Sequence, residues 1–464
     1  MQSLTKLNIN NIHSAYLIGV KGSAMTALAE ILVAKGIKVS GSDVTDVFYT
    51  DSLLEKAGVQ VYEGFSIKNI PQKVDLIIHS TAYNRENNVE VVAALKAKKT
   101  LINCPKAIGL IFNQSFGIAV CGTHGKTTTS AMLAEILKEA GMKPTALIGS
   151  KVTNWNSGSL SGDGRYFVIE ADEYQNKLQY YNPKMVVATN IDYDHPDFFK
   201  SWVTYVKVFR DFFKRIPAEG FLIINSEDEK SQGIAGKLIC QQVNFGSNQR
   251  AGFRLISRKV LPTGGQKITL SINGGEKLTF DLKLPGKHNA LNALAAIAAA
   301  CQLGVTAEKA TKILEGFKSS ERRLQKIKNF RRGVLYDDYA HHPQEIKMTI
   351  KAVREQYPNK KIIIAFHPHT FSRTKKFFKN FGQALTLADK VYVLDIYSSA
   401  REIVSEAKFD SKHLAELVNQ LGGKAEYVPT IEKLAPIITE EIDKNSVFIS
   451  MGAGDVWKIH ALIK

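Results

Sequence analysis

The sequence predicts an α/β protein of three domains, and three observations carry that reading. The chain has 464 residues, more than one ordinary domain holds. Apolar strand-like runs alternate with helical patterns in three successive series, which implies parallel sheets with crossover helices. Seven of the eleven histidines fall where such strands end, and that clustering favours sites over scattered surface positions.

The first series opens with the run Ala15–Val20, a Gly-containing turn and an apolar helix ending near Gly36. Val39–Ser40 then leads into Gly41-Ser42-Asp43, and Val74–His79 reads as a further buried strand. The second series begins at Phe116–Cys121, with a helix to about Gly141 and apolar runs at Phe167–Ile169, Met185–Ala188 and Phe221–Ile224. Between Phe253 and Leu284 the pattern changes to short alternating segments broken by Gly-Gly pairs, which predicts an antiparallel patch. An Ala-rich helix, Ala290 to Gln302, follows it. The third series runs through Gly333–Tyr336, Lys361–Phe366, Lys390–Asp395 and Ser446–Ser450. These series place domain boundaries near Asn113 and Ser320, giving domains 1–112, 113–320 and 321–464.

Composition narrows the function class. With 44% hydrophobic and 23% charged residues the chain reads as soluble and globular. A net charge of +17 reads either as the mark of an anionic partner or as a solvated surface biased towards lysine. The basic clusters, such as Lys326 to Arg332 and Lys375 to Lys379, are short and lack aromatic interleaving, which speaks against nucleic acid. Cys104, Cys121, Cys240 and Cys301 lie far apart without zinc spacing, which fits a reducing cytoplasm. Met1 to Asn11 lacks the apolar stretch of a signal peptide, and Ala290 to Val305 is too short to span a bilayer, so no membrane insertion is expected.

The strongest motif is Gly122-Thr123-His124-Gly125-Lys126-Thr127-Thr128, between a strand and a helix. Glycines let backbone N–H groups turn around phosphate, and the helix N-terminus adds its dipole. Lys126 can reach the outer phosphates and the Thr127 hydroxyl can ligate Mg²⁺. Val120 stands where the usual loop has another glycine, so this loop is shorter than the common form. Glu170-Ala171-Asp172-Glu173 ends the next strand, where acids meet the nucleotide's metal; Thr189 to His195 repeats the arrangement, with His195 an unusual ligand for so hard an ion. Gly286 to Asn292 reads either as a helix cap or as a holder of a nucleotide base. Asp337-Asp338-Tyr339-Ala340-His341-His342-Pro343 and His367 to Thr374 each end a strand. Gly19 to Met25 matches a dinucleotide loop only loosely, because Lys21 and Ala24 stand where glycines would be.

Together these segments resemble the Mur ligases over essentially the whole chain. Gly122–Thr128 with Glu170, Asn190, His195, His288, Asn289, Asn292 and Arg323 matches the family's ATP pattern in order and spacing. Asp337–Pro343, Pro368–Thr374 and Gly452–Lys458 are similar to the branch that adds alanine. The resemblance implies Rossmann-like N-terminal and C-terminal domains around a central P-loop ATPase, with UDP-N-acetylmuramate, L-alanine and ATP as reactants and Mg²⁺ as cofactor. It implies ATP contacts from Gly122 to Thr128 and from His288, Asn289, Asn292, Arg323 and Asp338. Thr127, Glu170 and His195 would hold the metal; Ser23, Ala24, Met25 and Asp43 would lie near the UDP end. Tyr339, His341 and Arg373 would surround the amino acid, with Lys126, His341 and Arg373 carrying the catalysis. A monomer or weak homodimer is expected. Thr370 occupies a place that is Arg in some members, and His367 stands where Gln is frequent. Some relatives carry a carbamylated lysine; Lys207 is the nearest lysine here and is out of register.

A carboxylate is a poor electrophile, so γ-phosphoryl transfer to it and attack of an amine on the acyl phosphate is the expected route. His341 or His342 would take the amine's proton. The rivals are a relative that joins a murein tripeptide, a P-loop ATPase on nucleic acid and an oxidoreductase, the last opposed by the P-loop.

Overall fold

The computed structural model describes residues 7–397 and 410–464. Three sheets follow one another along the chain. The first is parallel, with β1 (Ser14–Ile18), β2 (Lys38–Asp43), β3 (Gln60–Glu63), β4 (Leu76–His79) and β5 (Leu101–Asn103) in the order 3-2-1-4-5. Its β1, β2 and β4 pair so that Ile18 stands between Ser42 and His79, which gathers the Gly19 loop, Asp43 and Ser80 at one edge.

The second sheet has ten strands: β6 (Phe116–Cys121), β7 (Thr145–Val152), β8 (Ser157–Leu160), β9 (Tyr166–Glu170), β10 (Met185–Ala188), β11 (Phe221–Asn225), β12 (Gln241–Gly246), β13 (Phe253–Val260), β14 (Gln266–Ile272) and β15 (Lys277–Leu282). Their order is 15-14-13-12-11-10-6-9-7-8. The strands β13, β14 and β15 form the antiparallel patch the Gly-Gly breaks predict. The antiparallel pair β7–β8 at the other edge is not foreshadowed, because its Gly- and Ser-rich strands show little alternation. The parallel strands β10, β6 and β9 lie side by side, with Cys121 beside Ala188 and Val120 beside Glu170, so three strand ends converge. Behind them the helix Lys126–Glu139 packs on the Ala-rich helix Lys287–Gln302, whose Ala293–Ala300 stretch is fully buried. Alanine's small side chain lets the two backbones approach.

The third sheet contains β16 (Gln325–Phe330), β17 (Gly333–Asp338), β18 (Lys361–Phe366), β19 (Lys390–Val393), β20 (Ala425–Tyr427) and β21 (Ser446–Met451), ordered 16-17-21-18-19-20. All but β16 run parallel. Met451 pairs with Asp338 on one side and Phe366 on the other, so the segments after β17, β18 and β21 share one edge.

Candidate active site between the central and C-terminal sheets

The phosphate loop is locked by its neighbours. Gly122 has φ +125°, and a Cβ there would sit 2.4 Å from Thr189 Oγ1. At Gly125, φ +81°, a Cβ would meet Asn292 Oδ1 at 2.5 Å, so Asn292 stands directly against the loop. Asn190 clasps His124 from both ends, its amide donating to the His124 carbonyl (3.0 Å) while its Oδ1 accepts the His124 N–H (3.0 Å).

Lys126 reaches the carbonyl of Gly122 at 2.6 Å and Glu173 Oε2 at 3.2 Å. Burial alone would lower its ammonium, but Glu173, Asp172 and Glu170 outweigh that and hold it above the ordinary lysine value. It is a fixed positive charge at the strand ends. Thr127 Oγ1 donates to Glu170 Oε1 (2.9 Å), and Glu170 Oε2 accepts the Gly149 N–H (2.7 Å). His195, held at φ +54°, stands with Asp172 and Glu173, the donor atoms of the three within 4.8 Å of one another. Thr127 and Glu170 are thus brought together, while His195 groups with two acids of the same segment that were not assigned as ligands. The hydroxyl and carboxylate oxygens of Thr127, Glu170, Asp172 and Glu173 fit a hard dication, and the His195 nitrogen is the softer member of the set. Glu173 is also gripped by the Tyr205 hydroxyl (2.9 Å), which in turn stands 3.0 Å from Thr123 Oγ1. Lys207 is exposed and pairs with Asp211, away from this cluster.

The C-terminal sheet closes over the loop. Arg323 Nη2 donates to Thr127 Oγ1 at 2.9 Å, and the Arg322 and Arg323 guanidiniums stand 5.0 and 5.2 Å from the Tyr339 ring centre. His288, Asn289, Asn292, Arg323, Asp338 and Thr128 line one cleft with His124 and Gly125. Asp338 accepts the N–H groups of Leu324 (2.9 Å) and Ala340 (2.7 Å), and burial raises its carboxyl to about 6. His124 lies between Asp192 Oδ2 (3.6 Å) and Glu345 Oε1 (3.3 Å), its ring 4.7 Å from that of His342. Burial disfavours its charged form, yet Asp192 and Glu345 raise it to about 9, so it is an imidazolium at neutral pH.

The two adjacent histidines divide their work. His342 caps the helix Pro343–Gln356, its Nδ1 accepting from Gln344 N–H (3.3 Å) in a capping box closed by Glu345. His341 Nδ1 points at the Tyr339 carbonyl, 3.0 Å away. A carbonyl only accepts, so Nδ1 carries the hydrogen and Nε2 keeps its lone pair. Burial pushes His341 down to about 4. Its ring faces His369 at 6.2 Å, and His369 stacks on Tyr397 at 5.7 Å. Arg373 is buried, with Nε and Nη2 on Asp194 at 3.0 and 3.2 Å and Nη1 3.3 Å from His369 Nδ1. Two of its three donor nitrogens are therefore spent on the central domain. Thr370, just before, has φ +68°, strained backbone for a β-branched residue.

At the first sheet, Asp43 accepts the N–H groups of Lys21 (2.7 Å) and Val44 (2.8 Å), and Ser23 Oγ lies 2.9 Å from the Tyr49 hydroxyl. Ala24 follows Ser23 in the first turn of the helix Ser23–Ala34, and Met25 is packed into the apolar core. Lys21 turns its ammonium to the Asp46 carbonyl (2.8 Å) and to Asp51 (3.1 Å).

Sequence reasoning missed Asp192, Asp194, Glu173 and Glu345 as partners of these groups. Glu173, Asp192 and Asp194 stood in the strand-end segments already singled out, but nothing local named their partners; Glu345 carried a signal in its place three residues after the cap His342, the capping-box spacing.

Comparison with known proteins agrees with this layout. The description "Mur ligase family, catalytic domain" matches residues 14–116, "Mur ligase middle domain" 120–300 and "Mur ligase, glutamate ligase domain" 322–454. The chain is 35% identical over 445 residues to a UDP-N-acetylmuramate–L-alanine ligase of Desulfitobacterium hafniense, covering 96% of this chain and 98% of that one. It is also 35% identical over 456 residues to the enzyme of that name from Lachnospira eligens, covering 98% of each. Among solved structures, the UDP-N-acetylmuramate–alanine ligase of Thermotoga maritima superposes with a TM-score of 0.80 at 27% identity, over 97% of this chain and 98% of that one. With three domain descriptions in sequence order, relatives matched from end to end and an ATP-type loop closed by a third sheet, the chain belongs to the Mur ligase family.

Proposed function

We propose that this chain joins L-alanine to the lactyl carboxylate of UDP-N-acetylmuramate at the expense of ATP, in the cytoplasm, as a step of peptidoglycan precursor synthesis. The observation that carries the reading is the contact between the two domains: His124 of the phosphate loop stands 3.3 Å from Glu345, and Arg373, beside His369, pairs with Asp194 of the central domain, so amino-acid and ATP residues meet at one joint, as a carboxylate–amine ligase requires. Names of full-length relatives support the same substrates. The domains proposed are 1–112 for the UDP-sugar, 113–320 for ATP and 321–464 for the amino acid.

In this reading His288, Asn289, Asn292, Arg323 and Asp338 surround ATP, and the loop Gly122–Thr128 takes its phosphates. Lys126 offsets charge on the γ-phosphoryl group as it passes to the lactyl carboxylate. Thr127, Glu170 and His195, with Asp172 and Glu173 beside His195, would hold Mg²⁺, which supplies further charge neutralisation there. Ser23, Ala24, Met25 and Asp43 belong to the loop edge nearest the UDP end. The acyl phosphate is then attacked by alanine's amine, phosphate leaves, and the closed cleft keeps water out. His341 offers the unprotonated Nε2, and the nitrogen turns acidic as it bonds to the carbonyl carbon, so His341 takes its proton. Tyr339 stands beside His341, and Arg373 would turn its Nη1 edge, which stands 3.3 Å from His369 Nδ1, to alanine's carboxylate.

The test is phosphate release with UDP-N-acetylmuramate and each common amino acid, and with a murein tripeptide. Turnover that requires alanine supports the reading. Efficient use of the tripeptide in its place would transfer the assignment to tripeptide joining.

A further inference from the structure

Glu345 makes four contacts that no capping residue needs to make together. Its Oε2 accepts the backbone N–H groups of His341 (3.1 Å) and His342 (3.2 Å) and lies 3.3 Å from His341 Nδ1. Its Oε1 faces His124 Nδ1 of the phosphate loop at 3.3 Å, and the other nitrogen of that ring faces Asp192. The side chain is 12% exposed. One carboxylate therefore touches both the loop that would receive ATP and the histidine that would receive the amine's proton, across the joint between two domains.

We propose that Glu345 is the positioning residue that couples the two half-reactions: it docks the His341 segment onto His124 only when the C-terminal domain has closed on the phosphate loop. The proposal rests on the ligase reading above. Geometry supplies the logic. A closed joint delivers His341 and Arg373 to the acyl phosphate, whereas an open one leaves His124 and Glu345 as separate charges in water. His124, held charged by its two carboxylates, gives Glu345 a partner that exists only in the closed state. Burial would raise the Glu345 carboxyl, but His341, His124 and Arg323 outweigh it and hold it well below the usual carboxylate range. The residue is thus an anion wherever the clasp is formed.

Two variants separate clasp from cap. In Glu345→Gln the amide oxygen can still accept the His341 and His342 N–H groups, since Gln serves a capping box as Glu does. Its NH₂ then faces the charged His124, donor against donor. Glu345→Ala removes cap and clasp together. Wild-type turnover with UDP-N-acetylmuramate and alanine is measured first; its absence sinks the ligase reading and leaves the closure question to small-angle scattering of the unliganded proteins. Expected for Glu345→Gln are a melting temperature close to wild type, a larger radius of gyration, an unchanged KM for the UDP-sugar and a kcat lower by roughly ten- to a hundredfold. In a His124→Ala background the same substitution should cause no further loss. A kcat within about twofold of wild type, or losses that multiply across the two positions, overturns the coupling. So does a radius of gyration unchanged in Glu345→Gln, because closure is the step the residue is assigned.

Discussion

The central domain is held on its two sides by different physics. Toward the N-terminal domain the joint is apolar: one core cluster runs through both, and Phe112 packs its ring 5.8 Å from Phe167 and 5.5 Å from Tyr181. The polar bonds there are neutral or singly charged, such as Asn103 to the Tyr180 hydroxyl (3.2 Å) and Ser159 to Glu30 (2.7 Å). Toward the C-terminal domain the cores are separate and the joint is ionic, through Arg373–Asp194, His124–Glu345, Lys151–Glu321 and Arg258–Glu355. Apolar burial is lost only at full cost, whereas ion pairs, whether buried like Arg373–Asp194 or partly exposed like Lys151–Glu321 and Arg258–Glu355, contribute little net of rehydration. The first joint is built to stay shut and the second to open and close around ligands.

Breaking the apolar joint should have the largest effect. Phe112→Ala removes a fully buried ring wedged beside Gly117, where even an added Cβ would lie 2.5 Å from it. A loss of about 3–5 kcal/mol in denaturant unfolding is expected. A loss under about 1 kcal/mol would mean that the N-terminal domain is not held by its core.

Lys126→Ala tests the chemistry that the ionic joint closes over. The rate should fall by roughly a hundredfold or more, about 3 kcal/mol, while the fold survives. Near wild-type phosphate release from a folded variant would remove the phosphate role from this loop.

Arg373→Ala sharpens the comparison. In a single rigid core, an orphaned Asp194 would cost about 3–5 kcal/mol. Across an opening joint Asp194 can rehydrate, so the melting temperature should barely move. The defect should appear instead in KM, at about 1.5–3 kcal/mol. A rise confined to alanine marks the Nη1 edge as the carboxylate's partner; a matched rise for alanine and ATP marks Arg373 as a strut between domains.

How far the sequence could be read follows from the same contrast. Period and strand-end chemistry exposed the three α/β series, the antiparallel patch and the Gly122–Thr128 loop, because each is written in neighbouring residues. Pairings such as Asp194 with Arg373 join positions 179 apart, and nothing local marks them. His342 illustrates the limit: beside His341 it read as an equal candidate base, and only the direction of its Nδ1 toward Gln344 assigns it to the helix cap. Lys21 is similar, standing where a phosphate-facing glycine was looked for and turning back onto Asp46 and Asp51.

The pH dependence expected of His124 is the effect most specific to an ionic joint. His124 is raised from 6.5 to about 9 by Asp192 and Glu345 against the opposing pull of burial. A group whose folded value is raised contributes stability fully below its unfolded value and loses it as pH climbs through the folded one. The contribution of His124 should therefore be complete below about pH 6.5 and gone above about pH 9. Other groups facing the ring do not reverse this: His342 is pushed down to about 4 and stays neutral over the range, and Lys230 pairs with Asp192 at 2.6 Å. Rate is a poor readout, because alanine's amine gains reactivity as the same protons leave. The measurement is the melting temperature of wild type minus that of His124→Asn from pH 6 to 10. At pH 6 the gap should correspond to about 1–3 kcal/mol, since each unit of the rise is worth about 1.4 kcal/mol and the rise already includes the cost of burial. It should shrink steadily toward zero by about pH 9.5. A gap that stays constant would show that His124 holds the joint by shape alone; one that widens with pH would show that the neutral ring is the stabilising form.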